Sequence, residues 1–184
     1  MDNMAESGIK KTMVVLLGLV LGLFFSTQSV AQSRHAVSFK TPAKDATYTQ
    51  QYSIDVGDVP GHKVRIYEVH RTYAHNPPAF EGIRLKEVWR RGYSDYMDVN
   101  GRAWGYDTYV LESGEKIFLR WSGTSAAFEG AGEKGKSRFI GILTITGGTG
   151  GFLGIRGTLK ETVVFSPGSG LNEAHTQGEY WIEK

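Results

Sequence analysis

Two carboxyl groups and an imidazole follow the alternating pattern of the first half of the chain. Glu68 and His70 share the two-residue period of Val64 and Ile66, and Glu87 shares that of its apolar neighbours. Alternate side chains of a strand point to one face. If the apolar residues line an interior, all three polar groups enter it as candidate catalytic residues, and a desolvated carboxyl group there acts as an acid. A bulge between Val64 and Glu68 would instead turn that pair to solvent.

Aromatic residues supply the candidates for ligand binding. The chain has four Trp, nine Tyr and nine Phe. Trp89, Tyr106 and Trp121 are the predicted ligand-binding residues, because aromatic side chains can wall a pocket for a flat or fatty molecule. Filling of the core is the alternative for each of them, and it stays open.

Several other chemistries are not expected. His62, His70 and His75 show no paired-histidine spacing, so no metal site is predicted. The absence of cysteine excludes thiolate chemistry. The glycines at 147–151 lack the Lys-Ser or Lys-Thr pair of a phosphate-binding loop, and no cofactor is expected. A net charge of +2 gives no reason to expect nucleic acid as a partner.

The elements that position these residues are predicted to be strands. Eight alternating runs cover residues 51–58, 62–73, 83–96, 104–111, 116–122, 138–146, 158–165 and 174–183. Their short polar connections, with a hairpin turn at Asn100-Gly101, favour an all-β, eight-stranded antiparallel up-and-down β-barrel of calycin-like type. A two-sheet β-sandwich is the alternative. The barrel domain is placed at 51–184, after an N-terminal arm at 32–50.

A glycine-rich turn joins the strands predicted on either side of residues 146–157, which read TGGTGGFLGIRG. We expect at least two of its glycines to have positive φ or no room for a Cβ atom. Phe152 is expected to be buried, because the turn contains no other aromatic group that could offset its ordering entropy.

This turn carries a resemblance to a known family. Residues 128–132 (FEGAG), the strand after them and the TGGTGGF…GIRG turn follow the order found in the β-barrels of the allene oxide cyclase and dirigent type. The resemblance covers about 30 residues closely and implies the barrel fold. It also implies an interior in which such proteins hold a substrate and steer ring closure or radical coupling.

The N-terminus has the anatomy of a secretory signal peptide. Lys10 and Lys11 precede an uncharged apolar run at 13–25, and Ser29-Val30-Ala31 is a small-x-small cleavage site. A membrane anchor is the alternative, but the run is short for a span of about 20 residues. We expect cleavage after Ala31 and a secreted or periplasmic protein without a membrane contact. An exported chain without cysteine suits a bacterial envelope.

Three functions remain open from the sequence. The first is a protein that binds an apolar small molecule in the interior. The second is a cofactor-free cyclase or isomerase, in which Glu68 or Glu87 would supply proton chemistry. The third is a structural envelope protein with a filled interior. A filled interior would favour the structural protein. An open interior without an inward carboxyl group would favour the binding protein, and an open interior with one would favour the enzyme.

Overall fold

The computed structural model of the protein describes residues 32–129, 135–166 and 168–183. Most of these residues lie in strands. The strands are β1 (His35–Thr41), β2 (Ala46–Asp55), β3 (His62–Thr72), β4 (Ala79–Phe80), β5 (Ile83–Met97), β6 (Asn100–Leu111), β7 (Lys116–Glu129), β8 (Lys136–Gly148), β9 (Ile155–Ser166) and β10 (Leu171–Ile182). Short 3₁₀ turns occur at Ala43–Asp45 and Gly150–Phe152.

The strands form one antiparallel meander. Their order is β1-β10-β9-β8-β7-β6-β5-β3-β2, and β4 pairs with β5 beside this path. The all-β antiparallel prediction is confirmed. Among the described residues, no backbone ladder joins β1 to β2, so the sheet is open between these two end strands.

The sheet nevertheless curls until distant strands meet through their side chains. The hydroxyl groups of Thr41 on β1 and Tyr73 after β3 lie 2.9 Å apart. Arg71 on β3 reaches Glu161 on β9 and Asn172 on β10. The face that carries these residues is therefore an interior face.

Each of the eight predicted strands has a counterpart in β2, β3 and β5–β10. The expected arm at 32–50 differs, because it contains β1 and the first half of β2. Val37, Phe39 and Thr41 alternate inward in β1, with polar residues between them that hide the pattern in the sequence. The β5–β6 hairpin turns at Asp98-Val99, two residues before the predicted Asn100-Gly101, and Asp98 takes the positive φ there.

One end of the interior is packed solid, and we call it the filled end. Its fully buried apolar side chains are Phe80, Leu85, Leu111, Ile117, Leu119, Leu143, Ile145, Phe152, Ile155 and Leu159. Tyr109 and Tyr180 pack against Phe80 with ring centroids 6.0 and 5.1 Å apart. Dense packing of this kind supplies most of the apolar burial that holds the sheet together.

The glycine-rich turn covers the filled end as predicted. Gly150 and Gly154 have φ of +59° and +78°. A Cβ atom on Gly157 would meet the backbone oxygen of Glu179. Phe152 is 1% exposed. Both expectations for the turn are confirmed.

Among residues 32–129, 135–166 and 168–183, no helix is long and apolar enough to cross a membrane.

Candidate ligand-binding site

The other end of the interior contains a cavity of about 280 Å³ that is partly open to solvent, and we call this region the cavity end. Its walls carry the aromatic side chains of Tyr67, Tyr96, Trp121, Phe139 and Phe165. Trp121 and Phe139 pack edge to face, with ring centroids 5.7 Å apart. The volume lies just below the range of about 300–1,000 Å³ that is usual for small-molecule sites. The cavity therefore suits a compact ligand.

Strand alternation delivers these side chains to the interior. Along β5, Val88 lies at the filled end, Arg90 follows, and Ser94 and Tyr96 face the cavity. Along β6, Tyr109 packs at the filled end and Asp107 comes next on the same face. A layer of charged residues therefore separates the filled end from the cavity end.

This layer, the ion cluster, consists of Arg71, Arg90, Asp107 and Glu161. Arg90 binds Asp107 through two hydrogen bonds, from Nε to Oδ1 at 2.9 Å and from Nη2 to Oδ2 at 2.7 Å. The same guanidinium donates to both oxygens of Glu161, with Nη2 3.1 Å from Oε2. It also stacks over Trp121 at 4.6 Å. Two carboxylates thus accept hydrogen bonds from Arg90, and one aromatic ring stacks on its guanidinium group.

Glu161 is fully buried and ionised. Burial alone would raise the pKa of its carboxyl group, but the charges of Arg90 and Arg71 and hydrogen bonds from Arg90 and Thr176 outweigh burial and lower the pKa to about 2. Attraction to the two carboxylates likewise overcomes the effect of burial on Arg90 and raises its pKa well above the usual value. Arg90 and Glu161 therefore stay charged at neutral pH.

Arg71 is held more weakly than Arg90, although its side chain is only 5% exposed. Its Nη1 lies 3.4 Å from Glu161 Oε2, and its Nη2 lies 3.5 Å from Asn172 Oδ1. Both distances are at the outer limit of a hydrogen bond. The Nε of Arg71 and the Nε1 of Trp121 are buried and have no hydrogen-bond partner in the part of the chain that the structure describes. Arg71 and Trp121 both line the cavity.

The phenols of the wall stay protonated at neutral pH. Burial is the main cause in both cases: it raises the pKa of Tyr67 above its usual value and that of Tyr96 to about 12. Among the described residues that line the cavity, none carries a carboxyl group. The lining is therefore rich in hydrogen-bond donors and in positive charge.

The predicted catalytic residues lie together on the outer face. Glu68 and His70 do share the face of Val64 and Ile66, but those two residues are 40% and 46% exposed, so this face is the solvent side. The pair therefore lies on the solvent side and does not enter the interior, whereas Tyr67, Val69 and Arg71 of β3 face inward.

Glu87 is out of phase with Leu85 because the ladder shifts register between these two residues. His70 Nε2 lies 2.9 Å from Glu87 Oε2, and its ring stacks on Trp89 at 4.1 Å. Burial acts to raise the pKa of Glu87, but hydrogen bonds from His70 and Trp89 prevail and lower it. Glu68 pairs with Arg91 at 2.8 Å. These contacts form a surface network of hydrogen bonds and ion pairs.

The predicted aromatic residues divide between the two faces. Trp121 lines the cavity, whereas Trp89 lies on the outer face and Tyr106 is 64% exposed there. The sequence analysis missed Arg71, Arg90, Asp107 and Glu161. The signal available in the sequence was a spacing of two residues. Arg71 lies two residues after Val69 and Asp107 two residues before Tyr109, so each shares a strand face with a buried apolar residue.

No group of His, Cys, Asp or Glu suited to a metal ion occurs in the described part of the chain. No family model, curated protein or solved structure matches the sequence or the fold. The cavity and the ion cluster beneath it are the features on which a functional argument rests.

Proposed function

We propose that the chain is a binding protein that holds a compact, mostly apolar small molecule in the cavity end. The observation that carries the proposal is the cavity of about 280 Å³ with its aromatic walls. Protein interiors are normally close-packed, and the filled end of this molecule meets that norm. A concave space with several polar groups and apolar walls is the usual form of a small-molecule site.

The cavity favours binding over a structural role with a filled interior. It also favours binding over a cyclase or isomerase that uses an inward carboxyl acid, because the described lining contains no carboxyl group. Glu161 lies behind the lining, and its lowered pKa keeps it ionised, which makes it a poor proton donor.

The proposal includes a closed fold and an extracytoplasmic location. We propose that β1 and β2 complete an up-and-down barrel of the allene oxide cyclase and dirigent type, since the sheet already brings Thr41 to Tyr73. We further propose cleavage after Ala31 and export from the cytoplasm. The signal-peptide pattern lies outside the described residues, so its support is the sequence at 10–31.

Calorimetric titration with neutral aromatic probes tests the binding proposal. We expect trans-cinnamamide, indole or 1-naphthol to bind the purified protein and to change the fluorescence of Trp121. Ser94→Phe fills the cavity wall and should abolish binding, since Ser94 is buried in the lining. Ser122→Phe, a matched change on the exposed face of β7, should leave binding intact. Equal binding by both variants would contradict the proposal.

Export is tested separately. Fractionation of the expressing cells should recover the protein outside the cytoplasm, and N-terminal sequencing should begin at Gln32. Recovery of an intact Met1 would contradict cleavage, and resistance to an alkaline wash of the membranes would indicate the anchor instead.

A further inference from the structure

Two buried N–H donors of the cavity lining are unsatisfied. Arg71 Nε and Trp121 Nε1 have no hydrogen-bond partner among the described residues, and both side chains line the cavity. A buried donor without a partner costs free energy, so such groups normally meet a ligand, an ion or water. The two donors therefore indicate that the missing component brings acceptor atoms.

The contrast between the two arginines indicates the charge of that component. Arg90 binds two carboxylates, each through two hydrogen bonds. Arg71 contacts only one of these two carboxylates, and its Nη1 lies 3.4 Å from Glu161 Oε2. That same oxygen already accepts from Arg90 and from Thr176. Arg71 is therefore a nearly buried guanidinium that shares its one carboxylate contact within the described residues with Arg90.

The charge balance points the same way. The ion cluster and Arg65, which also lines the cavity, together contain three guanidinium groups and two carboxylates. One further negative charge would make this set neutral. A guanidinium prefers a planar anion with two oxygens, because both groups can align in one plane.

We propose that the ligand is a compact monocarboxylic acid with an aromatic or alicyclic body, and that Arg71 binds its carboxylate. The inference rests on the proposed binding function and adds the chemical class of the ligand. The carboxylate accepts hydrogen bonds from Arg71, and Trp121 Nε1 donates to an acceptor atom of the same molecule. The aromatic walls contact the apolar body.

The test compares three related probes by calorimetric titration of the intact protein. trans-Cinnamate and trans-cinnamamide are isosteric and differ in charge, and trans-cinnamylamine carries the same aromatic body with a positive charge. We expect cinnamate to bind at least tenfold more tightly than the amide, and the amine to bind least. Arg71→Gln should reduce cinnamate affinity tenfold or more, to the level of the amide. Arg120→Gln, which removes an exposed cation on β7, should change nothing.

The outcomes separate the two proposals. Amide affinity equal to or above that of cinnamate in the unaltered protein would overturn the acid as ligand and leave the binding function standing. Binding of none of the three probes or of the neutral panel would overturn both. If Arg71→Gln does not fold, Arg71→Lys keeps the charge without the planar guanidinium group. The comparison of the three probes on the unaltered protein then still tests whether the ligand is an acid.

Discussion

The filled end and the cavity end use the same strands and the same alternation, yet one is solid and the other hollow. At the filled end, leucine, isoleucine and phenylalanine side chains interdigitate, and the turn places Phe152 over them. At the cavity end, rigid aromatic rings and arginine side chains surround a cavity of about 280 Å³. The strands provide the same frame at both ends, so the difference lies in which side chains face inward.

The ion cluster is what lets the two ends differ. Four charged side chains cross the interior, where Arg90 joins Asp107 and Glu161 through short hydrogen bonds and Arg71 lies 3.4 Å from Glu161. Such a layer cannot collapse into the cavity without losing its partners, and removal of one partner leaves a buried charge uncompensated. We therefore expect the largest stability effects at the cluster and at the filled end, and binding effects at the cavity end.

Glu161→Ala is expected to have the largest effect on stability. It leaves Arg71 without its only carboxylate contact among the described residues and takes one of two from Arg90, which should cost about 3–5 kcal/mol of unfolding free energy. Urea denaturation measures the change. Glu173→Ala, on the exposed face of β10, is the control and should change stability by less than about 0.5 kcal/mol. Equal effects would mean that the cluster does not support the interior.

Phe152→Ala tests the filled end. The side chain is fully buried, so its removal should cost about 3 kcal/mol or more. Leu153→Ala changes the next residue, which is 68% exposed, and should be nearly neutral. Thermal unfolding of both variants compares them. An unchanged melting temperature for Phe152→Ala would mean that the turn does not close this end.

Acid should weaken the protein through the ion cluster. The pKa of Glu161 lies at about 2 in the folded protein, below its ordinary value of 4.5, so the folded state disfavours protonation. The contribution of Glu161 is present in full above pH 4.5 and is lost as the pH falls toward 2. Urea denaturation across this window should show stability falling with pH. Glu161→Gln should flatten that slope, and an unchanged slope would contradict the assignment.

Gly154→Val should have a smaller effect, of about 2 kcal/mol. Gly154 has φ of +78°, and a Cβ atom there would meet the backbone oxygen of Glu183. Gly147→Val is the matched control within the same turn, because its Cβ atom would meet only Arg156 Nη1, at 4.0 Å. Similar melting temperatures for the two variants would show that the strain is relieved by a shift of the turn.

The sequence predicted the strands and the turn because both depend on local patterns. Alternation marked each of the eight runs, and the burial of Phe152 was expected because it is the aromatic group of the glycine-rich turn. It could not decide which face is interior, because Val64 and Ile66 are as apolar as core residues and yet lie at the surface. The bulge at Leu85/Glu87 shifts the phase without any mark in the sequence.

The candidate site was harder to predict for a related reason. Arginine and glutamate are usually exposed, so Arg90 and Glu161 look like surface residues until β5 and β9 are brought together. Of the predicted ligand-binding residues, only Trp121 faces the cavity. Its neighbours there come from strands far apart in the sequence, and that proximity depends on the curl of the sheet.

Nuclear magnetic resonance tests the contrast between the two ends most directly. Titration of isotope-labelled protein with trans-cinnamate should shift the indole N–H of Trp121 and the methyl groups of Val69 and Val163, which line the cavity. The methyl groups of Leu111 and Ile155 at the filled end should not move. Shifts confined to the outer face, or equal shifts at both ends, would contradict the assignment of the cavity as the binding site.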